Sequence, residues 1–131
     1  MAQLAVNTQR VYEFGAYTEQ PVAAAVVIYE GSAVGYSAGY ARQLVAADVF
    51  AGFAMAKVDN TTGVAGAAIV NVHAGGYVIL AVTSVAVTDI GSNVYASDGN
   101  TFTLVSTANT LIGTVHRFIS TGVAVVKFNV N

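Results

Sequence analysis

The sequence predicts an all-β fold, a β-sandwich or small β-barrel behind an extended N-terminal arm, and three observations point to it. From Val22 onward, short β-branched or aromatic runs alternate with Gly, Asn, Asp and Ser at the spacing of sandwich and barrel strands. The only proline, Pro21, closes a more polar opening stretch. The last run puts Ala124, Val126, Phe128 and Val130 on one face and Val123, Val125, Lys127 and Asn129 on the other, so one face is wholly apolar and must be covered.

In chain order, residues 1–20 (MAQLAVNTQRVYEFGAYTEQ) read as the arm and 21–131 as the body. Pro21 fixes its own φ, lacks an amide donor and biases Gln20 towards extended geometry, which marks the boundary. Strands are expected over 24–29, 40–45, 50–58, 67–73, 77–82, 93–96, 101–105, 111–119 and 123–130. Asp98-Gly99 is the dipeptide of a two-residue hairpin whose central residues take positive φ, and Gly75-Gly76 and Thr121-Gly122 read as further turns. The run Tyr77-Val78-Ile79-Leu80-Ala81-Val82 does not alternate, as expected of a strand buried on both faces in a sandwich or at a subunit contact. Over 41–53, Ala, Leu, Arg and Gln favour helix, but Gly52 and the Val and Phe content tip the segment to strand. An internal echo runs through the chain: Phe50-Ala51-Gly52-Phe53-Ala54, Thr62-Gly63-Val64-Ala65 and Ile69-Val70-Asn71-Val72 resemble Leu111-Ile112-Gly113-Thr114-Val115, Thr121-Gly122-Val123-Ala124 and the 126–130 run. It is either a duplication or the ordinary similarity of two Gly- and Val-rich hairpins.

A length of 131 residues suits one domain with one core. Only five Lys or Arg and seven Asp or Glu are present, 9% of the chain, against a usual level of about 25%. The size scaling gives a folded monomer of this mass roughly 6,500 Å² of surface, which so few charges cannot cover. The rest is neutral polar surface or is buried against another polypeptide, and obligate interfaces are where charges are sparse. Arg10, Arg42, Lys57, Arg117 and Lys127 are scattered, so no footprint for nucleic acid is expected. The longest apolar runs, 22–29 and 77–82, fall far short of the ~18 residues of a membrane-spanning helix, so no membrane partner is expected. The opening MAQLAVNTQR lacks the pattern of a secretory signal, which leads us to expect synthesis in a cytoplasm.

Residues that carry chemistry are scarce. With no cysteine, disulfides and thiolate metal sites are excluded. His73 and His116 have no His or carboxylate at a metal-ligand spacing and read as surface or interface imidazoles. Asp89, Asn93, Asp98 and Asn100 lack the register and terminal Glu of a calcium loop and read as turn residues. Gly31, Gly35 and Gly39 are not followed by the Lys-Ser/Thr of a phosphate loop and mark close approaches or bends. No Gly-x-Ser-x-Gly elbow occurs, and Ser84, Ser92, Ser97 and Ser106 have no evident base, so neither an enzyme nor a bound cofactor is expected. Aromatic residues gather in the first third, and aromatics are enriched at interfaces. The candidate interface residues are therefore Val11, Tyr12, Phe14, Tyr17, Tyr36, Tyr40 and Arg42.

The stretches VIYEGSAVGYSAGYARQLVAADVFAGFAMAKVDNTTGVAGAAIVNVHAGGYVILAV (27–82), VTDIGSNVYASDGNTFTLV (87–105) and LIGTVHRFISTGVAVVKFNV (111–130) together resemble a family of phage and prophage proteins, the capsid cement or head-decoration proteins of tailed phages. The resemblance covers about four-fifths of the chain, through YEGSAVG, GYAR, AGFA, DNTTG, VYASDG, LIG and STGVAVV in order. It implies a small β-barrel or jelly-roll-like sandwich that self-associates, as a homotrimer or a dimer. It further implies binding to the major capsid protein between capsomers on the exterior of the virion head, and no catalytic residues. A carbohydrate- or small-ligand-binding β-sandwich carried on a virion is the alternative, with Tyr36, Tyr40 and Gln43 as its hint. A small hydrolase ranks last, for want of a nucleophile and base.

Overall fold

The computed structural model describes residues 6, 7, 9 and 16–130. Among them the fold is all-β, and the only helical element is a single 3₁₀ turn at Val87–Asp89. The strands are β1 (Tyr17–Pro21), β2 (Val27–Ile28), β3 (Ala33–Ser37), β4 (Tyr40–Gln43), β5 (Phe50–Ala54), β6 (Val58–Asp59), β7 (Ile69–His73), β8 (Gly75–Ala81), β9 (Asn93–Asp98), β10 (Thr101–Thr103), β11 (Thr110–Ser120) and β12 (Val123–Asn129). They form two five-stranded antiparallel sheets, β1-β7-β5-β3-β4 and β8-β12-β11-β9-β10, and a two-stranded ribbon, β2-β6. The arrangement is a sandwich; the barrel alternative is not realised.

The two large sheets are copies of one design. Numbered within each, the strands lie first-fifth-fourth-second-third in both. In each, one parallel bridge joins the residue after the first strand to the third strand, Val22 to Ala41 and Val82 to Phe102. In each, the fourth strand carries an extra residue at the same place. Ala51 bulges between the pairs Gly35–Phe50 and Val34–Gly52, and Ile112 between Tyr95–Leu111 and Val94–Gly113. The loops match as well. The Ser32 amide donates to the Tyr29 carbonyl and the Ser92 amide to that of Asp89, beside Gly31 and Gly91 at φ 83° and 89°. The Gly31 and Gly91 amides donate to the Ala54 and Val115 carbonyls, both at 2.9 Å. Ala47 and Ala108 both sit at positive φ.

The echo in the sequence is thus a structural duplication, and its first part aligns β5 with β11 correctly. Its last part is out of register. Strand pairing equates Ile69 with Val123, through Pro21–Ile69 and Ala81–Val123, rather than with Val126. The cause is an insertion: β11 and β12 are joined by Thr121-Gly122 alone, whereas 55–68 separate β5 from β7 and contain β6.

That insertion explains the packing. Val22, Val34, Ala41, Ala51, Ala54, Val70 and Val72 form the inner face of the first sheet, and the ribbon closes over them with Ile28 and Val58. Their counterparts Val82, Val94, Phe102, Ile112, Val115, Ala124 and Val126 form the inner face of the second sheet. Here the cover is Phe50 and Phe53, from the opposite face of the first sheet. The Phe53 ring meets Phe128 edge-on at 4.9 Å and Phe102 at 6.0 Å. β5 is therefore buried on both faces along its whole length. The sandwich is pinned at its rim by Ala33 N–H to Gly99 C=O (2.8 Å), the Val45–Asp98 bridge and the Thr110 hydroxyl on the Asp48 carbonyl (2.7 Å).

Several expectations need correction. Within the chain β8 is buried on one face only, because Leu80 and Val82 point inward while Tyr77 and Ile79 are exposed, which leaves the subunit-contact alternative for this run. The strand 24–29 shrinks to Val27–Ile28, and Gly75-Gly76 open β8 instead of forming a turn. The β9–β10 turn centres on Gly99-Asn100, and Gly99 is outside the positive-φ region. An added Cβ there would meet the Ser32 hydroxyl at 2.5 Å, so close approach accounts for the glycine. The hairpin with two central positive-φ residues is Ala38-Gly39. β3 and β1 were not foreseen as strands, and β1 takes Tyr17–Gln20 out of the 1–20 segment and pairs them with β7.

The insertion is held by Asn60, which is buried and donates through Nδ2 to the carbonyls of Ala23 (2.9 Å) and Val64 (3.1 Å). Asn60→Ala strips both acceptors of their donor and is expected to cost about 1–3 kcal/mol in urea unfolding. A change under 0.5 kcal/mol would show that the loop holds without it.

Candidate interaction surface

The outer face of the second sheet is built from β8, β12 and β11. Register sets Tyr77 beside Lys127 and Ile79 beside Val125, and Lys127 and Val125 in turn beside Thr114 and Arg117. Alternation along β8 then sends Leu80 to the core and Tyr77 and Ile79 outward. On β11 the register slips between Val115 and Arg117, so His116 is the extra residue, and His116 and Arg117 are both exposed. The Tyr77 and His116 rings meet across β12 at 4.6 Å.

Tyr77, Ile79, Leu111 and Ile119 are 60%, 63%, 50% and 40% exposed, large values for side chains of this size in one sheet. The charged groups among them, Arg117 and Lys127, are cationic. A depression of about 240 Å³ lies around Gly113 in this face, bordered by Asn93, Leu111, Thr114, Lys127 and Asn129. An added Cβ at Gly113 would run into the Lys127 carbonyl oxygen.

The residues singled out in the sequence do not come together as one surface. Val11, Tyr12 and Phe14 lie outside the described residues. Tyr17 is exposed on β1, its ring 5.3 Å from that of His73. Tyr36 packs half-buried against the first sheet's core, and burial pushes its hydroxyl up against a smaller opposing effect of a hydrogen bond with Gln20. The pairs Tyr36–Ala41 and Ser37–Tyr40 alternate, so Tyr36 and Tyr40 leave the hairpin on opposite faces. Gln43 donates to the Val27 carbonyl. The Tyr36, Tyr40 and Gln43 trio therefore forms no single ligand site.

Arg42 is engaged within the chain. Its Nε and Nη2 donate to the Asp48 carboxylate at 3.0 and 2.8 Å, and the Val45 amide donates to the same group. Gly35 makes room for it, since a Cβ there would lie 2.6 Å from that of Asp48. Burial pushes the Asp48 carboxyl up, but the bonds from Arg42 and Val45 and the Arg42 charge outweigh it and hold the carboxyl below its ordinary value. Asp59 is held down by the Thr61 amide and hydroxyl. A depressed carboxyl contributes stability that is complete above its unfolded pKa, ~3.9, and is lost as pH falls through the folded value. The unfolding midpoint is expected to fall below about pH 4, and less steeply in Asp48→Asn. Parallel profiles for the two proteins would contradict this role.

Tyr77, Ile79, Leu111 and Ile119 were not foreseen as site residues, although the non-alternating run through Tyr77 and Ile79 carried the signal. Among the described residues no three His, Asp or Glu side chains gather to hold a metal ion, and no helix is long and apolar enough to cross a membrane. Asp98 accepts from the Asn100 amide and the Thr101 hydroxyl, and Asp89 from the Ala86 amide, so both serve turns. Comparison of the chain with protein-family models, with curated proteins and with solved structures finds no match.

Proposed function

We propose that the protein is a structural cement protein that binds the outside of a tailed-phage head, against the major capsid protein, and acts as a self-associating body without catalytic chemistry. The observation that carries this reading is the uncovered apolar face of the second sheet, Tyr77, Ile79, Leu111 and Ile119 with cationic neighbours, in a chain that has few charges to spare. The ordered resemblance of 27–82, 87–105 and 111–130 to the decoration proteins supports a capsid shell as the surface that would cover it.

The magnitudes suit a cement. Fully burying a large apolar side chain is worth about 1.5–3 kcal/mol, so completing the burial of four half-exposed ones yields about 4 kcal/mol. Against the ordering cost of association that is weak for one copy. Linked sites on a self-associated body add avidity, and many such bodies stiffen a shell. Incubating the protein with undecorated heads and pelleting them tests the reading. Saturable co-sedimentation and heads that resist heating better are expected; a protein that stays in the supernatant refutes it.

A further inference from the structure

The duplication gives the depression at Gly113 a meaning. In the first sheet the corresponding positions are Ala33, Phe50 and Phe53, equated with Asn93, Leu111 and Thr114 by the pairs Ala33–Phe53 and Asn93–Thr114 and by the matched bulges. That seat is filled: the Phe128 ring lies 6.3 Å from Phe50 and 4.9 Å from Phe53, edge-on to both. The aromatic that fills it comes from the following unit. Among the described residues no third unit follows the second sheet, and its seat is an open groove with Lys127 on the rim.

We propose that this groove is an aromatic seat for the N-terminal segment of a second copy of the chain, with Tyr12-Glu13-Phe14 as the occupant, an aromatic pair for the Leu111 and Gly113 floor and a carboxylate for Lys127. Sixteen residues precede β1, enough for about 50 Å of extended chain. They join the body at Ala16, whose carbonyl accepts the Ala74 amide, while the Ala74 carbonyl accepts the Val130 amide. The segment therefore departs at the sheet junction, with length to reach a neighbour. Pairing two such faces directly would oppose the Arg117 and Lys127 side chains of both copies, a like-charge contact. A head-to-tail arrangement avoids it, continues the order in which the second unit fills the first unit's seat, and can close into a ring. The inference rests on the self-association part of the proposed function.

The test uses the full chain, a chain starting at Ala16, and Leu111→Asp, a change at an exposed position. A synthetic peptide of residues 8–16 is the probe. Light scattering is expected to give an oligomer for the full chain and monomers for the other two. The peptide is expected to bind the shortened chain, with its largest amide shifts at Gly113 and Thr114, and at least tenfold more weakly once Leu111→Asp is added, ~1.4 kcal/mol or more. Tyr12→Ser with Phe14→Ser should reproduce the truncation. An oligomer that survives truncation, a peptide that does not bind, or a monomeric full chain whose groove is closed by its own segment overturns the proposal. A monomeric shortened chain or Tyr12→Ser/Phe14→Ser variant, with the Leu111 face intact, that still pellets with heads leaves the cement role standing; an intact oligomer that ignores heads sinks that role and not this one.

Discussion

Phe53→Ala is expected to lower the free energy of unfolding by about 3–5 kcal/mol, the range for deleting a buried phenylalanine. Phe53 is nearly inaccessible and its ring touches those of Phe50, Phe102 and Phe128, so it belongs to both sheets at once. Its loss opens a cavity where the first sheet roofs the second, and neither rigid sheet can collapse to fill it. Against a total stability of about 5–15 kcal/mol, that is a fifth or more. Urea unfolding followed by circular dichroism measures it, with Val105→Ala, an exposed change expected within about 0.5 kcal/mol, as the control. A cost below about 1 kcal/mol for Phe53→Ala would mean that the two sheets do not share a core.

Gly52→Ala is the second large effect, and its counterpart Gly113→Ala tests the duplication itself. Gly52 has φ +117°, and an added Cβ would strike the His73 carbonyl oxygen. Gly113 has no such φ, but its Cβ would strike the Lys127 carbonyl oxygen. Strain at a conformation foreign to L-residues costs about 1–3 kcal/mol, and a backbone contact cannot be relieved by turning a side chain. Gly52→Ala is expected to cost about 3 kcal/mol or more and Gly113→Ala somewhat less. Gly122→Ala, at φ +83° in open space, should cost only about 1–2 kcal/mol. Equal costs at the three positions would remove the close strand approach as the reason for glycine at the two bulges.

The all-β class and the strands from β4 to β12 other than β6 were legible because alternation and turn residues report directly on strands; the expected run over 50–58 breaks after Ala54, and its end pairs with β2 as β6. The apolar face of the last strand is where the sequence places it, with Ala124, Val126 and Phe128 all in the core. β3 escaped because Gly35 and Ser37 weaken its pattern, and Gly35 is there for Asp48, a neighbour in space. β8 was legible only as a pair of alternatives, burial within the sandwich or a subunit contact. Its unbroken apolar run has the composition of a strand covered on both sides, but which side the remainder of the chain covers depends on packing, and that strand turned out to be β5. The duplication was visible where the two copies share the bulge and its glycine, Ala51-Gly52 and Ile112-Gly113. It was lost where 55–68 intervenes, because an insertion shifts every later comparison. The exposed face followed the same logic: Tyr77 and Ile79 are neighbours of Arg117 and Lys127 only through β12, a relation no local window contains.

The most direct measurement is the binding of Tyr77→Asp/Ile79→Asp to undecorated heads beside the wild type. Both side chains are exposed, so the folded chain should keep its unfolding midpoint nearly unchanged. The expected result is a loss of co-sedimentation of tenfold or more, since two carboxylates replace the apolar contacts at the centre of the face. A stably folded double variant that pellets with heads as the wild type does would show that the second sheet's outer face is not what meets the shell.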